Sequence, residues 1–217
     1  MIGRLALHFF FPQSCPVCGE LGQDICPQCL KSALEVNPLP HCLVCGKASP
    51  CEQHGTRYTV TALCRHKGRA RDILLAAKYG QRGRLAYQMG RELAALAGKG
   101  AEWTIVVIPP HKKASLSSSG DSHLEWMARG LAKAVGGRVQ NILEWTAPQR
   151  PQKMKKSRQE RRKLPNDCFV CAARPPQRVL LLDDVCTTGT TLWRATRALY
   201  VAGAKEVRAV CWSSAAE

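Results

Sequence analysis

The chain has 217 residues, 45% of them hydrophobic, and a formal net charge of +16. That length holds one ordinary domain with a small attachment, and the composition is that of a folded globule, not a disordered chain. No run approaches the ~18 apolar residues that crossing a bilayer requires, so no membrane span is expected.

The segment 2–11 (IGRLALHFFF) is apolar, but His8 interrupts it, Pro12 ends it and no small-residue cleavage site follows. It reads as a short packed helix and not as an export signal, so a cytoplasmic location is expected. Charge is divided unevenly. Residues 1–56 carry three cations against four acids, a net of −1, which leaves +17 on residues 57–217. A surface that basic attracts polyanions such as nucleic acid or phosphorylated small molecules.

Eight of the twelve cysteines fall within residues 15–64. Four paired units follow one another: Cys15-Pro-Val-Cys18, Cys26-Pro-Gln-Cys29, Cys42-Leu-Val-Cys45 and Cys51-Glu-Gln-His54. A two-residue gap lets both side chains of a tight turn reach one tetrahedral metal, and Gly19 and Gly46 permit the positive φ of such turns. Units one and two make a four-cysteine zinc site, and units three and four a site of three cysteines and one histidine. Interleaved pairing satisfies the same spacing. Without an export signal, a disulfide framework is disfavoured. Seven thiolates around two Zn²⁺ leave a charge of about −3, so this segment suits a structural or protein-docking role better than a grip on phosphates. The expected division is a zinc-binding module over 1–56 and a second domain over 57–217.

After the boundary, apolar periodicity predicts a strand at 58–64 and helices at 70–79 and 84–97. A strand at 103–108 follows, ended by Pro109 and Pro110, then a helix at 123–136 and a strand at 138–145. Residues 146–166 form a charged loop. A short strand at 168–171, a buried strand at 178–184, a helix at 190–204 and a strand at 206–212 complete the chain. Apolar strands separated by helices predict an α/β fold with a parallel sheet covered on both faces.

The stretch 179–192 reads VLLLDDVCTTGTTL. A strand that feeds a helix through a short turn leaves unpaired N–H groups at the helix start, and these form a nest for one phosphate. Cys186, Thr187, Thr188, Gly189, Thr190 and Thr191 make up that turn, with Gly189 allowing close backbone approach. Asp183 and Asp184 stand at the sheet edge where ligands bind in such folds. Two carboxylates there accept from vicinal ribose hydroxyls and help place a hydrated Mg²⁺. The set suits a ribose 5-phosphate and lacks the Gly-Lys-Ser/Thr of a nucleoside-triphosphate loop.

This stretch resembles the phosphoribosyl-pyrophosphate signature of type I phosphoribosyltransferases. The order of elements, with zinc knuckles first, resembles the ComF/GntX family over nearly the whole chain. The resemblance includes Lys78-Tyr79, the Ile-Pro-Pro of 108–110, and SRQERRKLPNDCFVC at 157–171. It implies a type I phosphoribosyltransferase fold, with Asp183 and Asp184 as the catalytic pair and the loop from Cys186 to Thr191 around the 5-phosphate. Pro110, His111 and Lys112 stand at the pyrophosphate-loop position, joined by Arg150, Lys153 and Arg161 from the basic loop 150–163, which carries eight cations and one acid. Such a loop closes over pyrophosphate, excluding water and supplying positive charge to the leaving group. Cys15, Cys18, Cys26, Cys29, Cys42, Cys45, Cys51 and His54 are the implied metal ligands.

The chain departs from the family at 117–126 (SSSGDSHLEW), where an Arg-Gly-Phe-Asn-Gln stretch is usual; only Gly120 fits, with His123 at the Gln position. Thr187 stands where purine-salvage relatives carry an acid, which argues against a purine acceptor. Family members are associated with DNA uptake in natural competence. The expected function is therefore a ComF-like protein that binds phosphoribosyl pyrophosphate with Mg²⁺. Expected partners are single-stranded DNA on the basic domain and a competence-machinery protein on the zinc module. An active phosphoribosyltransferase and a metabolite-sensing regulator are the alternatives.

Overall fold

The computed structural model describes residues 14–36, 38–80, 82–98, 102–110, 122–146 and 168–215. The segment 2–11 lies outside them. In chain order the elements are α1 (Pro27–Leu34), β1 (His41–Cys42), β2 (Thr59–Arg65), α2 (Gly68–Tyr79), α3 (Gly83–Glu92), β3 (Thr104–Val107), α4 (His123–Val135), β4 (Arg138–Val139), β5 (Leu143–Trp145), β6 (Phe169–Cys171), β7 (Arg178–Cys186), α5 (Thr190–Val201) and β8 (Glu206–Ser214). The main sheet has the order β1-β2-β8-β7-β3-β4. All its pairings are parallel except β1 with β2. Strands β5 and β6 form a separate antiparallel pair.

Successive strand residues point to opposite faces, and here each face is roofed. Leu180 and Leu182 of β7, Ile105 and Val107 of β3, and Val210 and Trp212 of β8 join one core with α2, α3 and α4. Val179 and Leu181, Val106 and Ile108, and Ala209 and Cys211 join the opposite core with α5, β5 and β6. The central strand is apolar on both sides, as a parallel sheet between helical layers demands.

The cysteine-rich segment is divided between these layers. Cys15, Cys26 and Cys29, with Ile25 and Ala33, pack into the first core, whereas Leu43 packs into the second. Arg82 Nη1 donates to the Ser14 carbonyl at 2.7 Å, and Arg84 pairs with Asp24 at 3.2 Å, tying the first knuckles to α3.

Helices α3 and α4 touch backbone to backbone. A methyl group placed on Gly90 would lie 1.9 Å from the Met127 carbonyl oxygen, and one on Gly130 would lie 2.0 Å from that of Tyr87. A capping box opens α4: Ser122 Oγ accepts from the Glu125 N–H at 3.2 Å while the Ser122 N–H donates to Glu125 Oε2 at 2.8 Å. Such a cap contributes about 1 kcal/mol and fixes where the helix begins.

The structure departs from periodicity at the ends of several elements, the helix expected at 190–204 stopping at Val201 and the strand expected at 206–212 running to Ser214, and most clearly in three places. The strand expected at 138–145 is two strands. Arg138 and Val139 extend the main sheet, Gln140 N–H donates to the Ile105 carbonyl at 2.9 Å, and the chain then leaves to pair β5 with β6. The helix expected at 84–97 ends at Glu92 and continues as a 3₁₀ turn, Leu93–Leu96. The buried strand runs past the acid pair to Cys186, because β8 pairs with it as far as Ser214.

Candidate functional site

Because β2, β8, β7 and β3 are parallel, their carboxyl ends share one edge, where open α/β sheets receive ligands. β7 brings Asp183 and Asp184 to that edge, with Asp183 beside Cys211 of β8. The two carboxyl groups have different neighbours. Asp184 is 8% exposed, and one of its oxygens, Oδ2, accepts from Lys78 Nζ at 2.6 Å and from His123 Nε2 at 2.9 Å. Burial alone would raise its pKa, but the hydrogen bonds from His123 and Lys78 outweigh it and hold this carboxyl below the usual range. Among the described residues, Asp183 accepts the neighbouring backbone N–H of Asp184, at 2.8 Å, and no other hydrogen bond. Burial, and then the charge of Asp184, push it up to about 8. The two neighbouring carboxyl groups are thus pushed in opposite directions, Asp183 up and Asp184 down, as expected when two acids share a site with limited compensation.

Lys78 comes from the last turn of α2 and His123 from the first residue of α4, where the capping box sets its position. Lys78 thus reaches the site instead of standing free on the helix surface, and His123 does so at the position where the family resemblance expects glutamine. His66, just beyond β2, also lies close by: its Nδ1 is 2.9 Å from Ser213 Oγ, and burial followed by the charge of Arg71 lowers its pKa. Nothing in the local sequence marks His66; the parallel pairing of β2 with β8 brings it there.

After β7 the chain turns through Gly189, at φ +72°, into α5. Among the described residues no side chain caps this helix start, and its first N–H groups have no partner within the helix. Thr187 is exposed, whereas Thr188, Thr190 and Thr191 are half-buried, with the Thr188 and Thr190 hydroxyls 3.1 Å apart. Cys186 turns inward: its thiol is 3.7 Å from His41 Nε2, and burial followed by the charge of Asp183 pushes it up to about 12. Pro110 is exposed beyond β3, and the preceding Pro109 carbonyl accepts from Trp145 Nε1 at 3.0 Å. His111, Lys112, Arg150, Lys153 and Arg161 lie outside the described residues.

The two cysteine clusters have the geometry of metal centres. Cys15, Cys18, Cys26 and Cys29 form one group, and Cys42, Cys45, Cys51 and His54 the other, with the ligand atoms of each within 4.8 Å of one another. Cys18 and Cys26 sulfurs are 3.6 Å apart, and His54 Nδ1 is 3.6 Å from Cys42 and 3.4 Å from Cys51 sulfur. A tetrahedron with Zn–S bonds of ~2.3 Å has edges of about 3.8 Å, so the donor sets fit Zn²⁺. Their acidities point the same way. Burial opposes ionisation of Cys15, but amide hydrogen bonds from Cys26, Cys18 and Val17 bring its thiol down to about 6, while burial and neighbouring sulfurs push Cys29 up to about 12. Four sulfurs ionise together only around a cation. The structure thus groups consecutive units, and the interleaved pairing does not occur. Among the described residues Cys168 and Cys171 join no third cluster.

The Phosphoribosyl transferase domain family matches residues 173–216, which take in β7, the turn, α5 and β8. Competence protein ComFC of Streptococcus pneumoniae is 27% identical over 195 residues, covering 87% of this chain and 80% of that protein. Among solved structures, the allosteric regulatory enzyme of purine biosynthesis aligns at 21% identity with a TM-score of 0.39. The glutamine phosphoribosylpyrophosphate amidotransferase of B. subtilis aligns at 22% with a TM-score of 0.39. Each alignment takes in 58% of this chain, and the chain spans a quarter of the length of either protein. Among the described residues no helix is long and apolar enough to cross a membrane.

Proposed function

We propose, for this homologue of ComFC with a phosphoribosyltransferase domain and two zinc-type cysteine clusters, that the acid pair and the threonine-rich turn bind phosphoribosyl pyrophosphate together with Mg²⁺. The observation that carries this reading is the joining of two features at one strand end: an acid pair, and an uncapped helix start behind Gly189. Asp183 and Asp184 would accept from the ribose hydroxyls and, as hard oxygen donors, help place the hydrated cation. The turn from Thr187 to Thr191 would hold the 5-phosphate through backbone N–H groups and hydroxyls. Lys78 and His123 keep Asp184 ionised and oriented. Thr187, in place of an acid, argues against a purine base as acceptor.

The net charge of +17 on residues 57–217 supports a second ligand, single-stranded DNA held by its phosphates. The relative's name as a competence protein supports a role in DNA uptake, carried out in the cytoplasm. The proposed division of labour places phosphoribosyl pyrophosphate and DNA on residues 57–217 and the zinc module, residues 1–56, in structure and protein docking.

Calorimetric titration of zinc-loaded protein with phosphoribosyl pyrophosphate and Mg²⁺ tests the reading. Micromolar binding is expected for the wild type and its loss for Asp183→Asn/Asp184→Asn. Absence of binding by a folded wild type would reduce the motif to scaffold. Release of pyrophosphate with a non-purine acceptor would extend binding to catalysis.

A further inference from the structure

Behind the phosphate turn lies a residue of the cysteine module. Gly189 presents its missing side-chain direction to Leu43: a methyl group there would be 2.8 Å from Leu43 Cδ2, 3.8 Å from Leu43 Cα and 3.7 Å from the Cys186 sulfur. Leu43 is 7% exposed and shares a core with Cys186 and with Leu192 of α5. It is the first residue inside the Cys42–Cys45 knuckle. Its own N–H donates to the Tyr58 carbonyl at 2.7 Å, and the knuckle closes through Cys42 N–H to Lys47 and Gly46 N–H to the Cys42 carbonyl, both at 2.8 Å. His41, one residue before the ligand Cys42, adds its contact with Cys186. The turn is therefore backed on its inner side by a side chain whose backbone belongs to the second metal cluster.

We infer that Leu43 is a positioning residue for the phosphate turn, through which filling of the second cluster sets the shape of that turn and its affinity for a ribose 5-phosphate. The affinity part rests on the ribose-phosphate reading above; the packing part does not. With its backbone held between two metal ligands, Leu43 has little freedom to follow a displaced turn. Without the metal, the knuckle is one tight turn held by the hydrogen bonds just named and by the pairing of β1 with β2, and Leu43 loses the anchor that the metal adds. The first cluster packs into the opposite core, and among the described residues the atoms nearest to the missing side chain of Gly189 belong to Leu43 and Cys186 alone. Coupling between two binding sites is reciprocal, so a ribose phosphate would tighten zinc at the second cluster by the factor by which zinc tightens the ribose phosphate.

Amide hydrogen exchange on full-length protein tests this with the metal alone as probe. Zinc-loaded wild type, chelator-stripped wild type, Leu43→Ala and the volume-conserving Leu43→Met are compared. Faster exchange over 187–192 is expected in the stripped protein and in Leu43→Ala with its zinc content unchanged, with recovery in Leu43→Met and no change over β3. If Leu43→Ala fails to fold, Leu43→Val gives the same comparison with a smaller cavity. Unchanged exchange at the turn in both the stripped and the truncated proteins would overturn the inference. Titration with ribose 5-phosphate then reads the affinity: a roughly five- to tenfold weakening in Leu43→Ala is expected, within the usual range of such couplings. Equal affinity in wild type and Leu43→Ala would sink the coupling. A wild type that binds no ribose 5-phosphate while its turn still responds to zinc would count against the ligand reading and support the packing one.

Discussion

At Asp184 two donors, from α2 and α4, converge on one carboxylate oxygen, while Asp183 next to it has, among the described residues, a single backbone N–H. The imbalance has a pH signature. Asp183 has a folded-state pKa raised to about 8, so the folded protein holds a proton that the unfolded chain loses near pH ~4. Stability from this group is therefore highest below the unfolded pKa and falls as pH rises towards 8. Asp183→Asn removes that dependence. Chemical denaturation of both proteins at several pH values is expected to show the variant gaining on the wild type from pH 4 to 8 and holding its lead above 8. A constant difference would mean that Asp183 titrates normally. Asp184 has the opposite sign: its contribution is present above the unfolded pKa and is lost as pH falls through the depressed folded value. Lys78→Met leaves this carboxylate with one donor fewer, and a loss of about 1–2 kcal/mol is expected from the urea midpoint. The acid pair and the turn could be read from adjacent residues. Their partners could not, because Lys78 and His123 stand 106 and 61 residues from Asp184 and meet it only through the order of strands in the sheet.

Elements were legible where one periodicity runs uninterrupted. Residues 179–182 are apolar without a break and form a strand buried on both sides, and the helical spacing at 123–136 gives α4, whose start at the Ser122 capping box is seen only in the structure. The stretch 138–145 misled for a physical reason. Its apolar residues serve two sheets, Val139 the main one and Leu143 to Trp145 the pair with β6, where Trp145 lies tilted against Phe169 with ring centres 4.1 Å apart. The close approach of α3 to α4 left no periodic signal at all, since a glycine within a helix reads merely as a poor helix former. In space Gly90 and Gly130 are where the two backbones meet. Gly130→Ala favours helix locally, yet it must push the helices apart. A net loss of about 1–3 kcal/mol is expected by thermal or urea unfolding, as for other overpacked cores, and a stabilised variant would show that the two helices separate freely. The knuckles were legible from spacing alone. Their division between the two faces of the sheet was not, because it depends on which helix each apolar neighbour meets.

Across the whole molecule, charge and metal act over longer distances. The +17 on residues 57–217 predicts DNA binding that weakens steeply with salt. For single strands the logarithm of the affinity falls by about 0.7 per phosphate neutralised for each tenfold rise in salt. Fluorescence anisotropy with a labelled oligonucleotide between 50 and 300 mM salt (roughly the range where such losses are large) should give a slope steeper than about −2. A flat response would assign the charge to solubility. The metal has an equally wide reach through β1. This two-residue strand pairs with β2 only at Val60 and Thr59, yet it occupies the outer margin of the main sheet, and Cys42 within it is a ligand of the second cluster. The strand's outer side is covered in turn by residues 47–49, through Cys42 N–H to the Lys47 carbonyl and Ser49 N–H to the Pro40 carbonyl; a sheet margin that loses such cover offers free N–H and carbonyl groups to any other chain. Stripping the metal should therefore make the protein self-associate, visible as a rise in light scattering that zinc reverses before the sheet itself unfolds. The second cluster then serves as a guard against aggregation, and zinc supply would set how long the protein stays dispersed.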